Sequence, residues 1–338
     1  MATLLEHTVM PSGGDFDNVS AAIEHIKTDH ADFTLADVYG EVKIDGTWSS
    51  ADTTAVTVQN IVTDATRNLK IYTTAQARSD GKLNAGRYRL VTNNNSAIRI
   101  YGVNYAHLDG LQIGVTAGSG AFHPIQTSAT YPLAEGANQI DISNSLLYLV
   151  SDTTQAAKLV NIVTNYMNLN IWNCIGISRT SSVVGCAILV ENTTTGVTVN
   201  AYSCTFVNMN GGGYGIRKRA GTLTAKNCYC GGAVTADYSG TMTKAACASS
   251  DLTGNTTPDD LTEIAVDTST FKNVTSGSED FGLVSGSPLI GKGTDTSGES
   301  APLNFTTDIV GTARGSVWDV GAFEFVVAGS AILKIINE

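Results

Sequence analysis

A short strand-like segment recurs along this sequence. Its clearest copy, Ile171–Ile177 (IWNCIGI), carries apolar side chains on alternate positions around a central asparagine, Asn173. The position of Asn173 recurs at 109, 144, 203 and 227, so successive copies are 35, 29, 30 and 24 residues apart. Repetition on this scale is typical of solenoid folds, in which each coil packs only on its neighbours.

The period inside each copy indicates β-strands rather than helices. Apolar residues alternate every second position, and β-branched types dominate. A second set of apolar segments runs out of phase with the first, at residues 97–100, 158–161, 187–190 and 215–218. Two or three short strands per coil predict a parallel β-helix. An antiparallel β-sandwich, with chance similarity between strands, is the alternative.

Stacking would explain the polar residue at the repeated position. Coils of a β-helix lie ~4.8 Å apart, so like side chains form ladders and asparagine amides can bond from coil to coil. We therefore expect Asn144, Asn173 and Asn227 to line up along one axis. A leucine at position 173 should break this ladder and lower the free energy of unfolding by about 1–3 kcal/mol.

The cysteines fit the same repeat. Cys174, Cys204 and Cys228 occupy equivalent positions, where they would serve as small buried side chains, and free thiols are expected throughout. The pair Cys228 and Cys230 has no second Cys/His pair at a suitable spacing, which disfavours a zinc site. The full set is Cys174, Cys186, Cys204, Cys228, Cys230 and Cys247.

Length and charge narrow the class of protein. A chain of 338 residues exceeds the usual limit for one compact core, a limit that a solenoid escapes. The formal charge of −11 (20 basic against 31 acidic residues) disfavours a nucleic-acid surface. No stretch approaches the ~18 apolar residues of a membrane span. The start of the chain does not resemble a signal peptide, because Glu6 and His7 interrupt the apolar residues.

Both ends of the solenoid need covering. Residues 1–34 predict an arm followed by a helix from Val19 to about Lys27, capped by Asp17 or Asn18. Its apolar face would be Val19, Ala22, Ile23 and Ile26. The coils would occupy residues 35–244, beginning with strands at 35–39, 42–44, 56–58 and 69–72. An irregular cap would span residues 245–325, and residues 326–338 would form a strand or arm with an apolar side that seeks a partner chain.

The segments at the two ends carry a family resemblance. Residues 13–19 (GGDFDNV), 36–41 (ADVYGE) and 63–71 (TDATRNLKI) resemble the opening of β-helix proteins encoded in tailed-bacteriophage genomes. The closing segments of that family resemble residues 245–251, 280–283, 286–293, 307–311 and 318–324, and this set also resembles the ends of right-handed β-helix proteins exported by bacteria. The resemblance implies a right-handed coil and a phage origin. Residues 290–293 (IGKG) depart from the common Ile-Asp-Ala-Gly, so no role for that carboxylate is carried over.

A β-helix also suggests polysaccharide lyases and hydrolases, which need paired carboxylates. The strand carboxylates Asp109, Asp141 and Glu191 lie on different strand positions, and the adjacent pair Asp259-Asp260 is predicted to lie in a loop after residues 256–258 (TTP). Residues 215–219 (GIRKR) resemble the basic motif of polygalacturonases, but the elements that should precede it are absent; Arg217 and Arg219 should face outwards. We predict no catalytic residue.

The remaining candidate sites also lack the sequence context that a functional site requires. None of the histidines (His7, His25, His30, His107 and His123) has the context of a Ser/His/Asp set, and residues 211–215 (GGGYG) predict a turn rather than a phosphate loop. Asp295, Asp308 and Asp319 would either surround Ca²⁺ or accept hydrogen bonds in turns. We predict no cofactor and no metal.

The longest insertion, residues 114–138, contains Phe122-His123-Pro124 and Tyr131-Pro132. Long ordered loops are often functional, so it is a candidate contact surface; packing over the flank of the solenoid is the alternative.

The sequence therefore predicts an all-β, right-handed parallel β-helix with a short capping helix and an irregular C-terminal cap. Its expected role is a non-enzymatic structural part of a phage particle, capsid-decorating or tail-associated, assembled in the host cytoplasm. Expected partners are other virion proteins and further copies of the chain, as a trimer. A receptor-binding or glycan-depolymerising spike that binds a host surface glycan is the alternative, favoured if Tyr214, Tyr229, Asp237 and Tyr238 lined one groove. A secreted adhesin would require an export signal.

Overall fold

The chain folds into a right-handed parallel β-helix, as predicted. The computed structural model describes residues 2–118, 120–127, 138–151, 157–182, 185–190, 196–256 and 259–326. Three long sheets run along the solenoid, and every pairing in them is parallel, which excludes the antiparallel sandwich. A full coil contributes one strand to each of the three sheets, and the chain passes through the sheets in the same order in successive coils.

Described residues form two helices and 25 strands. The helices are α1 (Val19–Asp29) and α2 (Phe33–Ala36). The strands are β1 (Thr3–Val9), β2 (Val38–Ile44), β3 (Val56–Gln59), β4 (Leu69–Thr73), β5 (Leu90–Asn93), β6 (Ile98–Tyr101), β7 (Tyr105–Asp109), β8 (Gln112–Ala117), β9 (Ile125–Thr127), β10 (Gln139–Ser143), β11 (Leu146–Ser151), β12 (Lys158–Ile162), β13 (Asn168–Trp172), β14 (Ile175–Ser178), β15 (Cys186–Val190), β16 (Thr198–Tyr202), β17 (Thr205–Asn208), β18 (Tyr214–Lys218), β19 (Thr222–Lys226), β20 (Tyr229–Gly231), β21 (Ala236–Ser239), β22 (Thr243–Ala245), β23 (Ala248–Ser249), β24 (Phe271–Asn273) and β25 (Asp280–Leu283).

Equivalent strands of successive coils lie side by side in three sheets, which we call I, II and III. Sheet I holds β1, β2, β4, β7, β10, β13, β16, β19 and β22; sheet II holds β5, β8, β11, β14, β17, β20 and β23; sheet III holds β3, β6, β9, β12, β15, β18 and β21. The core is a set of buried apolar rows that run along the axis. One such row in sheet I follows the register through Ile71, Leu108, Ile142, Ile171 and Ala201. Each coil therefore buries its inward side chains against the coils above and below.

A left-handed residue turns the chain from sheet I into sheet II. Asn144, Asn173, Ser203 and Asn227 hold φ of 50°, 50°, 49° and 53° there. Asparagine tolerates this conformation because its short side chain bonds locally. Asp109 pairs in register with Ser143, so Gly110, with φ of 78°, holds the equivalent corner. The predicted repeat position 109 is therefore wrong by one residue.

The asparagine ladder forms in part of this corner. The Asn173 Nδ2 donates to Asn144 Oδ1 at 3.2 Å, and Asn144 Nδ2 donates to Asp109 Oδ1 at 2.7 Å. Ser203 interrupts the row, and within the described part of the chain its Oγ has no hydrogen-bond partner. Asn227 occupies the same corner one coil further but bonds to the backbone of Thr294 instead. The alignment is thus confirmed for Asn144, Asn173 and Asn227, while the row of side-chain bonds does not reach Asn227.

The residue after each corner points into the core. Ser145, Cys174, Cys204, Cys228 and Cys247 are all buried there. Their side chains bond to nearby carbonyls; for example, the Sγ of Cys174 donates to the carbonyl of Trp172 at 3.3 Å. All six cysteines are free, as predicted. Burial raises the pKa of the Cys204 and Cys247 thiols, which keeps these groups neutral.

Helix α1 closes the N-terminal end of the solenoid. Asn18 caps it by accepting from Ala21 N at 2.8 Å, and the four predicted apolar residues are its buried ones. It runs two residues beyond the predicted Lys27. The carboxylate of Asp52, from the first coil, accepts from Val19 N at 3.2 Å and from the Tyr88 hydroxyl at 3.2 Å. Burial raises the pKa of Asp52.

The first coils differ from the prediction in one element. The predicted strand over residues 35–39 begins too early, because Asp32 accepts from Thr34 N and Leu35 N and so starts the short helix α2; only residues 38 and 39 are in a strand. Leu35 is consequently 85% exposed. Asp37 then turns left-handed, and β2 runs without a break to Ile44. The predicted arm contributes β1, which pairs with β2 as the first strand of sheet I.

The C-terminal segment covers the far end and also a long flank. Residues 250–256 and 259–261, the end cover, bond to the last coil; Asp251 accepts from Asp237 N at 2.9 Å, and Asn255 accepts from Cys247 N at 2.9 Å. Residues 264–325, the flank cover, run back over the outer face of sheet II as far as Lys82, which pairs with Asp280. The prediction placed this segment at the end alone. No helix among the described residues has the length and apolar character to cross a membrane.

Candidate binding cleft on sheet I

Three columns of outward side chains cover the open face of sheet I. Because the strands are in register, each column repeats one position through successive coils. The first column contains Tyr105, Gln139, Asn168, Thr198 and Thr222; the second contains Lys70, His107, Asp141, Asn170, Asn200 and Thr224; the third contains Tyr72, Asp109, Ser143, Trp172, Tyr202 and Lys226.

Hydrogen bonds link the middle of the second column, from Asn200 to Asp141. Asn200 Nδ2 donates to Asn170 Oδ1 at 3.0 Å, and Asn170 Nδ2 donates to Asp141 Oδ1 at 2.9 Å. Gln139 Nε2 donates to Asp141 Oδ2 at 2.8 Å from the first column. The amides therefore point head to tail towards one carboxylate. Such a row is ordered before any ligand arrives.

A polar cleft lies over these columns. It consists of two adjoining spaces of about 180 Å³ and 330 Å³ that share Gln139 as a wall. The smaller space is bounded by Tyr105, His107 and Asp141, and the larger one by the asparagines of the first two columns. Residues 299–303 of the flank cover form the far wall. Concave polar surfaces of this kind are candidate ligand sites.

Burial shifts the two titratable groups on the floor of the cleft. It lowers the pKa of His107 and raises the pKa of Asp141, which lie side by side on β7 and β10. Hydrogen bonds from Asn170 and Gln139 act against the shift at Asp141. His107 is therefore neutral at pH 7, and one of its ring nitrogens, Nε2, lies 2.8 Å from Ser143 Oγ.

Next to the cleft, a serine, a histidine and an aspartate meet. Ser143 Oγ donates to Asp109 Oδ1 at 2.7 Å, and Arg78 binds both oxygens of Asp109 at 2.8 and 3.0 Å. Burial acts to raise the pKa of Asp109, but the bonds and charge of Arg78 outweigh it and lower that pKa to about 2. Asp109 therefore stays ionised and held in place.

This arrangement does not have the geometry of a catalytic triad. In a triad the acid orients the histidine, which in turn activates an accessible serine. Here the acid bonds the serine, and Ser143 is only 1% exposed. A substrate carbonyl has no access to that oxygen. The cluster instead ties β7, β10 and the segment around Arg78 to the corner at Asn144.

The other predicted candidates do not come together. Asp259 pairs with Lys292 at 2.8 Å, and Asp260 accepts from Thr262 N within its own turn. Arg217 stacks on the ring of Tyr214, 4.0 Å from its centroid, and Arg219 is exposed. Glu191 lies outside the described residues.

Backbone turns hold the three aspartates considered for Ca²⁺. Asp308 accepts from Val310 N, Thr312 N and Glu324 N, and Asp319 accepts from Gly291 N and Phe325 N. Asp295 accepts from Ser297 N at the surface. Among the described residues, no group of three or more acidic, histidine or cysteine side chains is placed to hold a metal ion. The arrangement matches the turn alternative.

The predicted contact surface is partly buried. Residues 112–117 and 125–127 of that region are strands, and His123 is 3% exposed. Its Nδ1 accepts from Lys158 N at 3.1 Å, and burial lowers its pKa to about 3. His123 thus packs within the solenoid, deeper than the alternative of a loop over the flank supposed. Tyr131-Pro132 lies outside the described residues.

The groove proposed for a spike does not form from its four named residues. Tyr229 lies under the flank cover and donates to the carbonyl of Ile264 at 2.8 Å, whereas Tyr238 points inward and donates to the carbonyl of Cys228 at 2.8 Å. Asp237 is fully buried. The cleft on sheet I was missed, although its signal was present: polar residues two positions apart recur as Gln139/Asp141 and Asn168/Asn170.

The structure assigns this chain to an architecture, the parallel β-helix. Comparison with family models, curated proteins and solved structures gave no match. A parallel β-helix hosts both enzymes and inert scaffolds, so the fold alone assigns no activity. A function for this protein therefore has to be inferred from the geometry and chemistry of its surfaces.

Proposed function

We propose that this protein is a non-enzymatic structural component of a tailed-bacteriophage particle, decorating the capsid or associated with the tail. The phage origin rests on the resemblance of the terminal segments, such as residues 13–19 and 318–324. The structural role rests on the shape of the molecule. Its site of action would be the virion, assembled in the host cytoplasm.

The observation that carries the structural role is the sealing of the solenoid. Helix α1 closes one end, the end cover closes the other, and the flank cover seals sheet II. Open strand edges and exposed apolar rows are the usual weak points of a β-solenoid. A body closed in this way is stiff and offers proteases few entry points.

Buried ion pairs lock the flank cover to the coils. Glu279, with its side chain fully buried, receives both Nη2 contacts of Arg179 at 2.6 and 2.7 Å. Arg314 is buried too, and it donates to Asn173 Oδ1 at 3.1 Å and pairs with Glu324 at 3.2 Å. Such pairs fix one geometry, because separating them would leave charges buried and uncompensated.

The state of the carboxylates supports the absence of catalysis. Asp109, Asp141 and Asp237 each accept several hydrogen bonds from protein groups, so the pair of free carboxyls that glycoside hydrolysis needs is not assembled by them. Other virion proteins and further copies of this chain, as a trimer, would be its partners.

Two measurements test this function. Antibody labelling of intact particles in electron microscopy should place the protein on the capsid or the tail; its absence from purified particles would overturn the proposal. A panel of bacterial polysaccharides should yield no reducing sugar and no unsaturated product. Turnover that disappears in Asp141→Asn would instead establish an enzyme.

One observation favours the second candidate, a receptor-binding spike. The cleft on sheet I combines an aromatic side chain, a carboxylate and several amides on one flank. Labelling confined to the tail tip would support that candidate over a capsid location.

A further inference from the structure

We infer that the cleft on sheet I is a binding site for a neutral oligosaccharide. The inference goes beyond the structural role and does not depend on where the protein sits in a particle. It rests on the hydrogen-bonding groups, the charge and the shape of the cleft.

The first support is unused hydrogen-bonding capacity on an ordered frame. Asn170 is 5% exposed and locked between Asp141 and Asn200. Beside it, within the described part of the chain, the side-chain amide of Asn168, the Oδ1 of Asn200 and the hydroxyl of Tyr105 have no protein partner. These groups offer both donors and acceptors at the cleft surface.

A sugar matches this chemistry because each of its hydroxyls both donates and accepts. Amide side chains in successive coils repeat every ~4.8 Å, so the second column from His107 to Asn200 spans three steps, roughly 14 Å. This length suits an extended chain of several sugar units. Tyr105, half-buried at one end, can cover the apolar face of a sugar ring.

Charge excludes acidic sugars from the proposal. Asp141 and Glu299 both line the cleft. Lys226 pairs with Glu299, so these two charges compensate each other, and Lys70 at the end of the second column lies over the ring of Tyr72, 4.4 Å from its centroid. A uronic acid beside Asp141, which forms no ion pair within the described part of the chain, would meet a second carboxylate, and that is unfavourable.

Shape favours a chain-like ligand over a flat protein surface. Residues 299–303 rise over sheet I as a wall beside Asn170 and Asn200, so the site is a recess rather than a plane. Protein interfaces are typically broad with an apolar centre, whereas amide and carboxylate side chains lie at the centre of this cleft and its apolar residues, such as Leu303, lie in the wall. A second copy of the chain is the occupant to be distinguished by experiment.

The test uses the full chain and four hexasaccharides as probes. Isothermal titration calorimetry with cellohexaose, maltohexaose and chitohexaose should show binding by at least one, and hexagalacturonate should not bind. Asn168→Ala/Asn200→Ala should weaken that binding at least tenfold. Thr222→Ala, on the same sheet face but outside the cleft, is the matched control and should bind as the parent does.

Separate readouts keep the outcomes distinct. Melting temperature and near-ultraviolet circular dichroism establish that the variants are folded, and sedimentation velocity gives the oligomeric state. No binding of the three neutral probes by folded parent protein overturns the inference, as does equal binding of hexagalacturonate. A change of oligomeric state in Asn168→Ala/Asn200→Ala without any saccharide binding would make this face an interface between copies. Binding without product release leaves the structural role intact.

Discussion

Sheets I and II are built by the same coils, yet their outer faces are opposites. Outward residues in the first two columns of sheet I, such as Asp141 and Asn170, are polar and face an open cleft. In the third column, Trp172 packs against the flank cover. Outward residues of sheet II, such as Ile175 and Tyr229, are apolar and lie beneath the flank cover. The backbone geometry is shared, so the residue types at alternate positions alone decide which face stays open.

The difference between the two outer faces follows from the sequences of the strands. The first four residues of strand β10 (QIDIS) alternate between half-buried and buried side chains, whereas β11 (LLYLVS) is apolar on both faces. A strand that is apolar on both faces must be covered on both. Sheet II therefore requires the flank cover, which begins more than 100 residues after the end of β11 in the chain.

The largest test removes an anchor of the flank cover. Phe271 is fully buried, and its ring lies 5.1 Å from Tyr229 and 5.2 Å from Phe281 between centroids. Phe271→Ala should lower the free energy of unfolding by about 3–5 kcal/mol, through lost burial and the cavity left behind. Denaturant unfolding measures this. Asn168→Ala, on the open face of sheet I, should change stability by no more than about 0.5 kcal/mol; equal losses would erase the contrast between the sheets.

The contact between the end cover and the last coil adds a pH dependence to the free energy of unfolding. Burial, assisted by the charge of Asp251, raises the pKa of Asp237 to about 6 from 3.8. The folded state therefore holds a proton that the unfolded state has released between about pH 4 and 6. The stabilisation is present at low pH and lost as the pH rises through 6, by up to about 3 kcal/mol.

Urea unfolding between pH 4 and 7 checks this sign. Asp237→Asn should flatten the slope whatever its effect on absolute stability. Asp295→Asn, at an exposed turn, serves as the control and should leave the slope as it is. A slope that persists in Asp237→Asn would assign the titration to another carboxyl.

Much of the solenoid followed from the sequence. Stacking makes equal spacing visible, so the copies around Asn144, Asn173 and Asn227 revealed the coil, and the apolar face of α1 was read from its period. The fold is confirmed at that level. The one-residue error at Asp109 arose because glycine can replace asparagine in a left-handed corner, which hides the repeat.

Features that depend on distant contacts could not be predicted in the same way. The flank cover has little regular structure, so it shows no period of its own; only the doubly apolar strands of sheet II call for it. The cleft likewise depends on registering Gln139 with Asn168 and on the wall at residues 299–303, and neither is visible until the coils are stacked.

The corner between the two sheets offers a test of intermediate size. Asn173 donates to Asn144 Oδ1 and to the carbonyl of Thr307 at 2.8 Å, and it accepts from Arg314. Asn173→Leu should cost about 2–3 kcal/mol, because buried partners are left unpaired and leucine is strained at φ of 50°. Unfolding in guanidinium measures it. Asn304→Leu, at an exposed irregular position of the flank cover, is the control; a loss of similar size there would deny the corner any special role.

The smallest effect comes from the last corner, which lacks a polar side chain altogether. Ala246 sits there with φ of 50°, a conformation that costs a side chain with Cβ about 1–2 kcal/mol. Ala246→Gly relieves that strain but gives the unfolded chain more freedom, so a net gain of about 0.5–1 kcal/mol is expected. Ala225→Gly, at a buried strand position of sheet I, should instead destabilise by about 1–2 kcal/mol, since it loses a buried methyl group and gains only unfolded-state freedom. Thermal unfolding of both variants measures the two changes in stability. Stabilisation by Ala246→Gly together with destabilisation by Ala225→Gly would show that glycine is favoured at the corner and not in the adjoining sheet. Destabilisation by both would contradict the left-handed strain at Ala246.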